Sequence, residues 1–292
     1  MKQFIIGTGL SGLVGSRIVE LLSPGYDFEN LSLETGVNIL DVNDLDKRFS
    51  TSKAEWVFHL AAKTDVDGCE IDKEHGIEGD AWKINVGGTQ NIVSACQKYQ
   101  KKLLYISTDF VFDGFENKNY TEEDQPNPQS WYAVTKYEGE KAVINSSIPY
   151  LICRIAFPYR AVNFIKRDLV HLIIDKLQKK EHLTVVSDQF ITPTFIDDIA
   201  LAIKLLFSKN QAGIFHLVGS EKVTSLNMAL KIAKLFKLDE SLIINTTLAK
   251  YYQNRAPRPF HAVLKNAKIK NLGYCMMGFT EGLDIIKKQI KN

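Results

Sequence analysis

A tyrosine and a lysine four residues apart, Tyr132 and Lys136 in the run Ser130-Trp131-Tyr132-Ala133-Val134-Thr135-Lys136, form the pair whose chemistry stands out. Four residues is about one helical turn, so a helix presents both side chains on one face. A phenol is a weak acid at neutrality, with an unperturbed pKa of about 10, and a nearby ammonium favours its phenolate form. A phenol tuned in this way can pass a proton to or from a substrate oxygen. Thr108, in the upstream triplet Ser107-Thr108-Asp109, offers a hydroxyl to hold that oxygen. Alone, a Tyr and a Lys at this spacing are more commonly a packed ring and a solvated charge.

An N-terminal glycine ladder shifts that balance. Lys2 to Ile6 reads as a short buried strand and runs into Gly7-Thr8-Gly9-Leu10-Ser11-Gly12-Leu13-Val14-Gly15. A helical pattern follows, with Leu13, Val14, Ile18, Val19, Leu21 and Leu22 apolar and Arg17 and Glu20 polar. Strand, glycine turn and helix make the context of a dinucleotide fingerprint. Gly9 permits the tight turn, Gly12 the approach of a pyrophosphate, and Gly15 close packing of helix on strand. The helix N-terminus offers free N–H groups and a positive dipole end to the phosphates. The competing signal-peptide reading of residues 4–15 lacks a small-residue cleavage site and carries too many glycines.

The 292 residues suffice for one large domain or two interleaved ones. A net charge of +2, with acidic and basic residues well mixed, gives no electrostatic case for nucleic acid. No apolar run reaches membrane-spanning length. Cys69, Cys96, Cys153 and Cys275 form no close pair and the six histidines show no ligand spacing. Reduced thiols, no metal and a cytoplasmic location are therefore expected.

Strands and helices alternate along the chain. Residues 54–60, 103–107 and 150–154 read as strands, and 81–99 and 131–145 as helices. This predicts an α/β fold, a Rossmann-type doubly wound parallel sheet with helices on both faces. Ligands bind such sheets at the carboxyl ends of the strands, so Gly9, Ala61, Ala62, Thr108 and Arg154 should gather along one edge. Further on, 163–179, 195–207 and 224–236 read as helices, and 183–186 and 213–218 as strands. The expected division is a cofactor domain over 1–154 and a smaller C-terminal substrate lobe over 155–292, with about 195–218 returning to the first.

Together these segments resemble the extended short-chain dehydrogenase/reductases, and within them the dTDP-4-dehydrorhamnose reductase family, over nearly the whole chain. Residues 8–15 match TGxxGxxG, 61–70 resemble AAxTxVDxxE, and 85–91 resemble NxxGTxN. Residues 107–114 reproduce STDxVFDG, the most family-specific segment. Asn163-Phe164, 186–189 with Pro193-Thr194, and Arg258-Pro259 fall where the family has NF, VxDQ…PT and RP.

The resemblance implies an oxidoreductase of nucleotide-sugar metabolism, of the dTDP-rhamnose biosynthesis type. It would deliver hydride from NADH or NADPH to the 4-keto group of a nucleotide-linked deoxysugar. Thr108, Tyr132 and Lys136 would be the catalytic triad, with Lys136 also on the nicotinamide ribose. Gly9, Gly12 and Leu13 would cradle the pyrophosphate, Asp41 and Val42 would lie near the adenine, and Ala61, Ala62, Thr64 and Ser107 would line the middle of the cofactor. Phe110, Phe157, Asn163, Gln189 and Arg258 would face the sugar nucleotide. A homodimer is the expected assembly.

Departures from the family pattern cluster by the substrate. Ala133 replaces a glycine, Lys63 an aromatic, and residues 154–160 read Arg-Ile-Ala-Phe-Pro-Tyr-Arg in place of RTSWVYG. No Arg follows the second strand to meet a 2′-phosphate, whereas Glu34 could accept a ribose 2′-hydroxyl, which leans to NADH. Two other readings compete. A nucleotide-sugar epimerase or dehydratase shares the scaffold, although Asp109-Phe110 lacks the Asp-Glu pair of dehydratases. The regulatory subunit of methionine adenosyltransferase is a relative that works by binding a partner.

Overall fold

The computed structural model describes residues 2–115, 118–161 and 164–290. Its centre is a six-stranded, all-parallel sheet. The strands in chain order are Gln3–Thr8 (β1), Tyr26–Leu31 (β2), Trp56–His59 (β3), Lys102–Thr108 (β4), Tyr150–Ile155 (β5) and Gly213–His216 (β6). Their spatial order is β6-β5-β4-β3-β1-β2. Successive residues point to opposite faces of a strand, so a sheet covered on both sides needs apolar residues at nearly every position. Ile5, Leu104 and Leu151 pack on one face, against Ile18 and Leu22 of Leu13–Leu22 (α1) and against Ile199, Ile203 and Leu206 of Ile196–Ser208. Ile6, Leu103, Tyr105 and Ile152 pack on the other, with Leu45 and Phe49 of Val42–Thr51 (α2) and Ile92 and Cys96 of Thr89–Lys98.

The helix expected over 81–99 is heterogeneous. A short α segment, Asp80–Trp82, passes into a π-helix, Lys83–Gly88, before Thr89–Lys98. The Asn85 side chain accounts for the irregularity, because it is drawn out of the helix onto a neighbouring loop. Lys63 N–H donates to Asn85 Oδ1 at 2.8 Å, and Asn85 Nδ2 donates to Lys63 O at 3.1 Å and to Thr135 Oγ1 at 2.9 Å. Single π turns of this kind mark places where a functional geometry outweighs regular helix.

The helix expected from residue 163 begins later, at Leu169, where the Asp168 carboxylate caps it by accepting from His171 N–H at 2.9 Å. A separate apolar cluster joins that helix, Leu169–Gln178, to Ser225–Phe236 and Phe279–Ile290 through Val170, Ile173, Met228, Ile232, Leu283 and Ile286. Between the first two of these helices the chain returns to the sheet. Ile196–Ser208 lies on α1, where Arg17 grips Asp197 with two bonds of 2.6 Å, and β6 extends the sheet beyond β5.

Candidate active site

The carboxyl ends of β1, β3, β4 and β5 open into one cavity of about 810 Å3. Gly9 follows β1, Ala61 and Ala62 follow β3, Ser107 and Thr108 end β4, and all line it. Arg154 departs from the sequence expectation. It lies within β5, fully buried, and its Nε and Nη2 donate to Glu140 at 2.9 and 2.7 Å. The pleat turns the Arg154 side chain to the face covered by Trp131–Ile144, where Glu140 meets it, and leaves Ile155 to reach the cavity wall.

The glycine turn is sterically committed. Gly9 has φ +68°, and a Cβ there would sit 2.5 Å from Ala61 N. A Cβ on Gly15 would meet Gly9 O at 2.5 Å, because α1 packs directly beneath the turn. Gly12 caps α1 with no side-chain acceptor, and Ser16 N–H, bonding Gly12 O at 3.0 Å, is where the intrahelical ladder begins. The N–H groups of the first turn thus face the cavity with the positive helix end behind them. Leu31, Val37 and Ile39 add an apolar slot beyond β2. Glycine turn, helix end, apolar slot and the partnerless buried Ser107 Oγ fit a nicotinamide dinucleotide.

Of the longer α-helices that follow α2, Val66–Asp72 is α3, Thr89–Lys98 is α4 and Trp131–Ile144 is α5; Tyr132 and Lys136 share one face of α5, whose cap Ser130 Oγ accepts from Ala133 N–H at 3.3 Å. Lys136 Nζ donates to Ile106 O at 2.8 Å and stands 4.0 Å from the Tyr105 ring centroid. Burial pushes this amine down to about 7, against the pull of Glu140 one turn later. Burial also raises the Tyr132 phenol above its usual range. The Thr108 hydroxyl favours its ionisation, while Asp109 and Cys69 oppose it. The expected action of Lys136 on the phenol is therefore not what this geometry shows, since the ammonium is turned to the Ile106 carbonyl and the Tyr105 ring.

A family model described as RmlD substrate binding domain matches residues 1–291. The chain belongs to this family. It is 32% identical over 285 residues to methionine adenosyltransferase 2 subunit beta of Rattus norvegicus, covering 92% of this chain and 82% of that one. It is 29% identical over 285 residues to dTDP-4-dehydrorhamnose reductase of Aggregatibacter actinomycetemcomitans, covering 92% of each. The crystal structure of dTDP-4-dehydrorhamnose reductase from Bacillus anthracis in complex with NADP superposes with a TM-score of 0.90 at 26% identity, covering all of both chains.

Within this RmlD-family cavity the other expected residues divide. Leu13, Thr64, Phe110 and Phe157 line it, with the Phe110 ring 6.0 Å from Tyr132 in an edge-on contact and 6.3 Å from Phe157. Glu34, Asp41 and Val42 are exposed and outside the lining. Glu34 sits in a 3-10 turn and Asp41 caps α2 by accepting from Asn43 and Asp44 N–H. Gln189 is buried, donating from Nε2 to Pro259 O at 2.9 Å. Arg258 donates to Asp67 at 2.9 Å and to Ala256 O at 2.8 Å, away from the lining. Asn163 lies outside the described residues. Of the departures from the family pattern, Lys63 turns to Asp72 and Asp80, and Arg160 reaches Ser16 Oγ at 2.9 Å and Glu20 at 3.3 Å, tying the later segment to α1.

Sequence reasoning missed Lys166 and Asp109 as wall residues. Lys166 Nζ donates to Thr64 Oγ1 at 2.9 Å across the cleft, a long-range contact with no local signal. Asp109 carried a signal, its place beside Thr108 in a family-specific segment.

Proposed function

We propose that this chain is an NAD(P)H-dependent reductase of the 4-keto group of a nucleotide-linked deoxysugar, like the dTDP-4-dehydrorhamnose reductases it resembles. The observation that carries the reading is the convergence of Thr108, Tyr132 and Lys136 on the cavity that also holds the glycine turn. The first turn of α1 and the Gly9–Gly12 backbone would hold the cofactor diphosphate, and Ala61, Ala62, Thr64 and Ser107 its middle. When bound, a reduced nicotinamide supplies the hydride. Tyr132 donates its proton to the carbonyl oxygen as that oxygen gains charge, and Thr108 hydrogen-bonds the same atom. A phenol raised by burial stays protonated until charge develops beside it, which suits a donor. Lys136 would hold the ribose, and once its ammonium exchanges the Ile106 carbonyl for the cofactor its charge would support the proton transfer. Phe110 and Phe157 flank the sugar, and Arg258 would meet the nucleotide diphosphate by exchanging Asp67 for phosphate oxygens.

NADH is the cofactor we favour. The wall at the end of β2 consists of Leu31, Ser32 and Leu33, uncharged and without a guanidinium for a 2′-phosphate. Nicotinamide absorbance, followed with NADH and NADPH separately against a panel of nucleotide 4-keto-6-deoxy sugars, tests both proposals. Turnover of none of them overturns the reductase reading, and tighter binding of NADPH overturns the cofactor choice.

The identity to methionine adenosyltransferase 2 subunit beta favours a second reading, in which the cavity serves a subunit that binds a partner enzyme. Co-elution of the purified chain with a methionine adenosyltransferase catalytic subunit, with no turnover of any sugar nucleotide, would select it.

A further inference from the structure

We propose that Asp109 works as a neutral carboxylic acid that donates to Thr108 Oγ1, so that the hydrogen of Thr108 itself is left to point at the reacting oxygen. The inference rests on the reading above for what Thr108 faces. A threonine hydroxyl has one hydrogen to give and two lone pairs. Thr108 Oγ1 already accepts from Phe110 N–H at 3.2 Å and lies 3.0 Å from Asp109 Oδ1, and the Tyr132 phenol on the cavity side is also within its reach. If Asp109 is ionised, it can only accept, and it takes the one hydrogen Thr108 has. Thr108 then has nothing to offer a substrate carbonyl. If Asp109 is protonated, the bond reverses direction: the acid donates, the second lone pair of Thr108 is filled, and its O–H is free to turn into the cavity. No covalent bond changes and no proton is consumed.

The surroundings favour the neutral form. Asp109 is buried, lines the cavity, and its Oδ2 has no hydrogen-bond partner among the described residues. An ionised carboxylate with a bare buried oxygen is far costlier than a neutral acid. Among the described residues no cation is bonded to it. From α5 the Tyr132 phenol faces it. Lys136, one turn further, is engaged by Ile106 O, and Cys69 of α3 also acts on the phenol. The apolar rings of Phe110 and Phe157 complete the wall. Desolvation pushes the Asp109 carboxyl up to about 7, outweighing the Thr108 hydroxyl and the N–H groups of Asp109 and Phe110, all of which favour the ionised form.

Asp109→Asn and Asp109→Ala separate this role from a packing role. The Asn amide can still donate to Thr108 but cannot ionise, whereas Ala offers nothing. Infrared difference spectra of native minus Asp109→Asn protein, without cofactor or substrate, should show a protonated-carboxyl band at pH 5.5 that fades by pH 8.5. Glu122 and Asp198, also raised by burial, contribute to both proteins and cancel. In turnover, loss of this acid's proton should contribute roughly a tenfold fall in native kcat/KM per pH unit above its pKa, on top of any fall from Lys136, whose amine is also brought to about 7. That component should be missing in Asn, and Ala should be slower than Asn at pH 6. Absence of the carboxyl band at pH 5.5 overturns the proposal whether or not a substrate turns over. If the band is present and nothing turns over, the reductase reading fails instead. An Asn variant with an unchanged pH profile, or no faster than Ala, also overturns it.

Discussion

Replacing Asp109 by Asn should stabilise the folded protein, and by an amount that grows with pH. The Asp109 carboxyl rises from its ordinary 3.8 to about 7 on burial. At about 1.4 kcal/mol per pH unit, the ionised form in its native setting costs on the order of 4 kcal/mol. The sign follows from proton counting. Between pH 3.8 and about 7 the folded chain keeps a proton that the unfolded chain has released. Stability contributed by this residue therefore declines as pH rises through that window and levels off above it. Asn is neutral in both states and escapes the decline. The gain from Asp109→Asn should be near zero at pH 4, under half its maximum at pH 5, and complete at pH 8. Urea unfolding of both proteins at pH 5 and pH 8, followed by fluorescence, gives the difference directly. An equal gain at the two pH values, or a loss at pH 8, would refute the claim that desolvation dominates this carboxyl.

Tyr132→Phe keeps the ring and removes one oxygen, so turnover of a confirmed substrate should fall ~10²–10⁴-fold while cofactor affinity by fluorescence titration holds. Near-full activity would remove Tyr132 from the role of acid. Lys136→Met should lower both turnover and cofactor affinity, and loss of only one of them contradicts its double role. Arg154→Met leaves the fully buried Glu140 without its two charged bonds. A loss of about 3–5 kcal/mol is expected, and an unchanged thermal midpoint at neutral pH would show that the pair is dispensable. Gly15→Ala puts a Cβ 2.5 Å from Gly9 O, so the turn must shift. Calorimetry should then find cofactor binding weakened severalfold or more, a steric cost that no side-chain rotation can relieve, and unaltered affinity would mean that the turn does not hold the diphosphate.

What the sequence determined by itself was everything with a local period or a local steric demand. The strands of the sheet read through because both faces are covered, making Ile5-Ile6 and Leu103-Leu104 apolar without alternation. The glycine turn read through because its demands lie within the turn itself: Gly9 has φ +68°, and a Cβ at Gly15 collides with Gly9 O six residues earlier. The spacing of Tyr132 and Lys136 was enough to place them on one helical face. Tertiary structure decided what depends on partners distant in sequence. The direction of the Lys136 ammonium is set by Ile106 O, 30 residues away. Arg154 reads as a strand-end residue, yet Glu140 and the pleat hold it buried between the sheet and α5. Glu34 follows β2 but lies outside the cavity, because a 3-10 turn at Leu33–Thr35 leaves it exposed. Arg258 is bound to Asp67, 191 residues earlier. The environment of Asp109 was equally unreadable, since desolvation is a sum over every element that excludes water and no run of residues records it.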